Sequence, residues 1–481
     1  MSEPSLKKNI GLSMIYQVLI VLAPLITAPY VSRVLTADGV GIYSFTNSVQ
    51  MYFAMFAALG TASYGAREIA RNRNDKAKRS QLFWEIELLT VFTTIICFIA
   101  YGILIAITKE YKLYFFILAL NLLAVMLDVS WFFIGIEQMK YTIGPNGIIK
   151  SLGVICIFVF VHTKDDLAVY IFIMTVVTLL GNATMWAFLP KYVSKTQFKD
   201  ISVKKHFKET LIFFVPTIAT SVYTVLDKTL IGLITSDTSE NGYYEQTTKI
   251  INMAKSLTFT ALNTVLGARI SYLFSENRLE EIKERIKTSI DYIMFIGIGI
   301  CLGIIGIAPR FVPVFFGEGF EPVVKLLCCM SPVVLIIGIS NCLGSQYYNP
   351  AGMRALSAKF IIVGSVINLI LNLILIPYFK SVGAVIATLA AELVITVLYL
   401  CFCNGFLQVR TIIVLGWKKI IAGLVMLLVI RLIDQVVLSN LLACCIEVVA
   451  GLCVYCMVLL LFRDSFIALG INLLHKREKR E

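Results

Sequence analysis

The chain has 481 residues, 58% of them hydrophobic and only 15% charged, with a formal charge of +12 at pH 7. An ordinary soluble domain carries about 25% charged residues and could not hide so much apolar surface in one core, which excludes a soluble globular fold. The Lys and Arg residues sit in short clusters between apolar runs rather than along one face, a membrane-topology signal and not a nucleic-acid footprint.

A spanning helix needs roughly 20 apolar residues to cross a hydrocarbon layer about 30 Å thick. About 14 runs qualify by that rule: 9–34, 40–64, 82–107, 114–135, 143–161, 167–189, 210–234, 243–269, 289–312, 323–346, 358–378, 382–404, 420–437 and 441–462. The first run is too long for a signal-peptide core and lacks a convincing cleavage site, so it is expected to remain as the first transmembrane helix. With the N-terminus cytoplasmic, the inward loops and tails hold about 28 Lys and Arg against about 7 on the opposite side. That asymmetry predicts an all-α polytopic membrane protein with both termini cytoplasmic.

The outward loops at 108–112, 162–166 and 236–241 are too short to house a catalytic domain. The long basic inward loops read as solvated faces lying on anionic headgroups. Most of the twelve cysteines, including Cys97, Cys156, Cys301, Cys401, Cys403, Cys444 and Cys445, fall inside apolar runs and read as small packing residues, as do Cys453 and Cys456. His162, His206 and His475 lie far apart near predicted loops, so neither a metal nor any other cofactor is expected. The sequence contains no P-loop, no H-E-x-x-H and no Gly-x-Ser-x-Gly, which argues against ATP-driven transport by this chain alone and against an enzyme.

A weak internal repeat suggests two lobes. Gly41-Ile42-Tyr43 followed by Leu59-Gly60 is echoed by Gly242-Tyr243-Tyr244 followed by Leu266-Gly267, and Gly135-Ile136-Glu137-Gln138 by Gly344-Ser345-Gln346-Tyr347. The expected organisation is a first lobe at 1–208, a second at 209–406, and two further helices with a basic tail at 407–481.

Ionisable residues inside the bilayer cost several kcal/mol unless they face partners or water, so each marks a candidate site. These are Arg33, Asp128, Asp227, Lys228, Glu245, Lys249, Lys255 and Glu392. Glu245 and Lys249 are four apart on one helical face and can pair with each other; Arg33 can instead snorkel to the outer interface. Three lysines against two carboxylates on the seventh and eighth spans point to a cationic cavity for an anionic ligand. Asn263, Asn341, Gln346, Asn349, Asn368 and Asn372 either bind sugar hydroxyls or bond between helices. Pro24, Pro216 and Pro332 are expected kinks.

Several segments resemble the Wzx-type polysaccharide repeat-unit flippases. They are Tyr30-Val-Ser-Arg33-Val-Leu-Thr-Ala-Asp38-Gly-Val-Gly41-Ile-Tyr-Ser, Leu127-Asp128-Val-Ser-Trp131-Phe-Phe-Ile-Gly135-Ile-Glu137-Gln-Met-Lys140, Leu226-Asp227-Lys228 with Gly242-Tyr-Tyr-Glu245, and Gly344-Ser-Gln346 with Asn349-Pro350-Ala-Gly352. The similarity runs in order from about Ile10 to Asn404; the last two spans match by layout only. The resemblance implies a superfamily that also holds drug/sodium antiporters and the lipid II flippase, two six-helix lobes, and alternating access in a bacterial cytoplasmic membrane. It also implies undecaprenyl-pyrophosphate carrying an oligosaccharide as substrate, and a monomer working beside a polysaccharide polymerase. On it, Arg33, Lys228, Lys249 and Lys255 are candidate substrate contacts, and Asp128, Asp227 and Glu245 candidate ion-coupling or charge-pair residues; Asn263 joins the first group and Glu392 the second as polar groups within the spans. An ion-coupled small-molecule exporter is the alternative.

Overall fold

The computed structural model describes residues 6–194, 196, 201–260, 270, 272–274, 276–436 and 440–468, and among them every regular element is a helix. Nine of these helices are long and apolar enough to cross a membrane. Long apolar rows on them face outward, such as Phe92, Ile95, Ile96, Ile99 and Ile103 on the third helix, as expected of surface that meets lipid. The protein is a multi-pass membrane protein. Two compact units divide between Gly242 and Tyr243.

The first unit opens with α1, Leu6–Ala58, which breaks at Thr36 (φ 60°). The break separates 6–35 from 37–58, and a β-branched residue at positive φ is a costly place for it. Leu59 and Gly60, both at positive φ, then turn the chain into α2, Thr61–Arg71. The expected second span therefore ends near 58, and part of the expected basic loop is a short amphipathic helix. Its apolar side buries Tyr64, Gly65 and Ile69, while Arg67 and Arg71 on the other side pair with Glu68. Asp75 caps α3, Lys76–Ile107, by accepting from Lys78 N at 3.0 Å. Next come α4 (Lys112–Leu118), α5 (Leu120–Met126), α6 (Ser130–Gly135), α7 (Lys140–Phe160), α8 (Leu167–Trp186) and α9 (Lys204–Ile234).

Two glycines from the repeat meet in this unit. A Cβ on Gly41 would strike the carbonyl of Thr238, and one on Gly242 would strike the carbonyl of Ala37. Only glycine lets two backbones approach this closely. Asp38 accepts a hydrogen bond from Thr238 beside the contact.

α10, Thr238–Lys255, continues into the second unit and ends in a π-turn at Ser256–Thr260. α11 (Leu279–Phe316) starts ten residues before the expected span, in a region expected to be a loop, and its first turns carry the Lys283–Glu280 and Arg285–Glu281 ion pairs. α12 (Pro322–Met330) and α13 (Pro332–Leu343) follow. Pro332 opens α13 rather than kinking a helix interior, in the first turn where its missing N–H costs nothing. After a π-turn at Gly344–Tyr348, α14 (Arg354–Cys401) breaks at Lys380 (φ 50°). α15 (Val409–Val436) and α16 (Asn440–Leu461) complete the unit. They pack on α11 through Met426, Ile430, Tyr455 and Leu459, and Tyr455 donates to the Phe295 carbonyl at 2.8 Å. All twelve cysteines are free thiols, with Cys301, Cys342 and Cys403 buried.

Candidate functional site

The central feature of the first unit is the interruption between α5 and α6 at 127–129. A helix that stops inside a membrane leaves carbonyls without intrahelical partners, and these must be satisfied by neighbouring groups. Here α8 supplies the donors. Asn182 Nδ2 donates to Ala124 O at 2.8 Å, and Trp186 Nε1 to Leu127 O at 3.0 Å. Asp128 restarts the chain, its Oδ1 accepting from Ser130 N at 2.9 Å. Trp131 then packs flat on Phe83, ring centroids 5.7 Å apart. Its ring occupies the space that any side chain at position 65 would need. Gly135 does the same service at the far end of α6: a Cβ there would come within 2.8 Å of Ala66 O.

This break walls a cavity of about 380 Å³. Asn47 and Gln50 line it from α1, Thr90 from α3, Asn121 and Asp128 from the broken helix, and Thr175, Thr178 and Asn182 from α8. A second cavity of about 420 Å³ shares Asp128, Thr178 and Asn182 and adds Asn146 and Lys150. Gln50 is 2% exposed and its Nε2 has no hydrogen-bond partner. Glu87, one turn before Thr90, is equally buried, and neither of its carboxyl oxygens is bonded. Buried polar groups are ordinarily satisfied, so the unbonded amide of Gln50, which lines the first cavity, points to an occupant; Glu87 is in neither lining.

The candidate residues fall in both units. Arg33 is exposed on α1, three residues before the Thr36 break. Asp128 lies at the helix break and lines both cavities. Asp227 is buried on α9; Lys228 follows it, its carbonyl accepting from Asn241 at 2.8 Å, and Thr229 shares a 2.9 Å hydrogen bond with Ser48. In the second unit Glu245 and Lys249 form an ion pair at 3.5 Å, Lys255 ends α10, and Glu392 is buried on α14. Asn263 lies outside the described residues.

Three further ionic clusters involve residues outside the candidate set. Glu85 on α3 is fully buried and gathers Lys205 Nζ and His206 Nε2, each at 2.8 Å, while Tyr64 Oη lies 2.7 Å from His206 Nδ1. The first turn of α9, which falls in the expected basic loop, is thus clamped onto α3 and α2 rather than lying wholly solvated. Lys419, counted in sequence as a loop cation, has no exposed surface. Its Nζ lies 2.6 Å from Asp291 Oδ1, 3.0 Å from Asp464 Oδ2 and 2.9 Å from Leu415 O. Arg310 pairs with Asp434 and reaches the Asp434 carbonyl at 2.7 Å. Among the described residues no group of three or more His, Cys, Asp or Glu is placed to hold a metal ion.

The family description "Polysaccharide biosynthesis protein" matches residues 6–274, more than half of the chain. The chain belongs to that family. Within its wider relations, the "Putative O-antigen transporter" of Escherichia coli (strain K12) is 26% identical over 407 residues, covering 83% of this chain and 97% of that protein. Among solved structures, the lipid II flippase MurJ in an inward closed conformation superposes with a TM-score of 0.75 at 15% identity, covering 95% of this chain and 98% of that one. An inward-facing multidrug resistance MATE family transporter of the MOP superfamily reaches 0.60 at 11% identity, with 86% and 99% covered. At such identities the likeness is one of fold alone.

Proposed function

We propose that this protein is a flippase that carries undecaprenyl-pyrophosphate-linked oligosaccharide units from the inner to the outer leaflet of a bacterial cytoplasmic membrane. The observation that carries this reading is the family match over residues 6–274. The near full-length relative named as an O-antigen transporter supports it, and so does the likeness in fold to a lipid II flippase. The reading includes 14 crossings with both termini cytoplasmic, repeat lobes at 1–208 and 209–406, and an appended pair of helices at 407–481. The two lobes alternate access to the two membrane faces. The protein is a transporter and not an enzyme, needs no cofactor, and works as a monomer that delivers its cargo to a polymerase.

In this reading Arg33, Lys228, Lys249, Lys255 and Asn263 meet the pyrophosphate and any acidic sugars. Asp128, Asp227, Glu245 and Glu392 couple ions or hold charge pairs. A chain lined by cations suits a diphosphate because each phosphate oxygen brought out of water must regain a donor.

The test follows the lipid-linked oligosaccharide in a strain lacking the gene, with its first glycosyltransferase kept switchable. Intermediate trapped on the cytoplasmic face with loss of surface polymer is the expected result. Unchanged polymer together with new sensitivity to small toxic cations would instead establish a multidrug exporter, the reading that the fold likeness to a multidrug transporter favours.

A further inference from the structure

We infer that the cavity beside the α5–α6 break is a subsite for the uncharged sugar residues of the glycan, read by Gln50 and the neighbouring amides; this rests on the flippase reading above. Among the described residues, the cavity's lining includes Asp128 but no Lys, Arg or His. A carboxylate without a cation beside it repels phosphate and acidic sugars, so the anionic end of the cargo is not held here.

What the cavity offers instead is hydrogen-bonding capacity in excess of its own needs. Asn47, Gln50, Asn121 and Asn182 present primary amides, and Thr90, Thr175 and Thr178 present hydroxyls. Each amide brings two donors and an acceptor, and each hydroxyl can both give and accept. Some of this capacity is spent locally: Asn182 serves Ala124 O, and Thr175 and Thr178 bond back to Ile171 O and Met174 O. Gln50 is the exception. It is buried, lines the cavity, and leaves its Nε2 unbonded. A donor removed from water and given no partner costs roughly 1–3 kcal/mol until something accepts from it.

Between the polar groups the lining is apolar, with Met51, Ala54, Val125 and Met174. Alternating hydroxyl-matched and apolar surface suits a pyranose, which carries equatorial hydroxyls around two C–H faces. A bare ion would leave most of 380 Å³ unfilled, and a lipid tail would strand the amides. The adjoining cavity, which shares Asp128, Thr178 and Asn182 but adds Lys150, extends the trough to a second sugar position that tolerates a negative charge.

The experiment uses the full chain in lipid nanodiscs and two probes: the lipid-linked glycan extracted from the deletion strain, and undecaprenyl pyrophosphate without sugar. Binding of each is measured by native mass spectrometry for the parent, Gln50→Leu and Thr178→Val. The parent is expected to prefer the glycan-bearing lipid by at least about tenfold; Gln50→Leu should lose about five- to tenfold of that preference, the worth of one buried hydrogen bond, and Thr178→Val, at an exposed position, about twofold. Binding of the sugarless lipid should be unchanged. Equal loss for both lipids, or a parent with no preference, overturns the subsite while leaving the flippase reading standing. A deletion strain that accumulates no glycan-lipid, or a parent that binds neither probe, overturns both. Because preference is a ratio within one preparation, partial misfolding of a variant does not imitate the result, and Thr178→Val gives an independent measure from the α8 wall.

Discussion

Replacing Lys419 with methionine should unfold the second unit more readily than any change of similar size on its lipid-facing surface. Lys419 has no exposed surface and holds two carboxylates, Asp291 and Asp464, that are themselves 8% and 1% exposed. Asp291 also accepts from Ser465 Oγ at 2.7 Å, and Asp464 from Phe466 N at 3.0 Å. Methionine is unbranched, reaches as far as the lysine Cε, and removes the ammonium and its charge. It leaves two buried carboxylates facing each other without a cation, and breaking a buried ion pair from one side costs about 3–5 kcal/mol. Neutralising the carboxylates as well, in Lys419→Met with Asp291→Asn and Asp464→Asn, should restore most of that loss, because a neutral cluster no longer needs the cation. The assay is the temperature at which half the detergent-solubilised protein leaves the monodisperse peak on size exclusion. A single variant that melts with the parent, or a triple variant no better than the single, would refute the account of this cluster.

Three further outcomes follow from the first unit. Gly65→Val should abolish stable expression, since the side chain would have to displace the Trp131 ring from its place on Phe83, an overpacking cost of about 1–3 kcal/mol; fluorescence size exclusion of a tagged protein reads it. Trp186→Phe keeps an aromatic ring but takes the indole donor from Leu127 O, which retains its bond from Val129 N; the lost bond should cost about 0.5–1.5 kcal/mol of stability at the helix break, against a smaller loss for Trp84→Phe, whose bond to Ser194 O lies at an exposed edge. Glu85→Gln removes the charge shared by Lys205 and His206, and proteolysis of the 190–209 stretch in inside-out vesicles should then quicken, whereas Glu137→Gln, whose pair with Arg73 is exposed, should leave the rate unchanged.

Hydropathy found the helices because the bilayer imposes a length and a composition on every crossing. The runs expected at 143–161 and 167–189 coincide with α7 and α8 to within a few residues. It failed where the deciding partner is remote. Leu127-Asp128-Val129-Ser130 contains no proline or glycine, and beside local bonds such as Val129 N to Leu127 O the break draws on donors from Asn182 and Trp186, more than fifty residues away. Asp128 itself was legible as a charge in lipid; the cavity around it was not, since Asn47, Gln50 and Thr90 are ordinary polar residues until the helices bring them together. Lys419 misled for a related reason. It stands beside Lys418 at the edge of an apolar run, and only the fold reveals that one of the two turns inward to Asp291. The short α2 was hidden because Leu59-Gly60 lies within a hydropathy window that runs on through Tyr64, although the turn is made by their positive φ.

The crossing of Gly41 with the start of α10 constrains how this protein can vary. Most tight glycine contacts among the described residues are limited by a side chain: a Cβ on Gly364 would meet Cγ1 and Cδ1 of Ile395, and an Ile395→Ala change would remove both. At Gly41 and Gly242 the obstacle is the main chain of Thr238 and of Ala37, which no substitution can shorten. The two positions therefore admit no compensating pair. A library that randomises both together should return glycine at each, whereas one that randomises 364 with 395 should return several solutions, so the two sites would carry opposite patterns of epistasis within one helical protein.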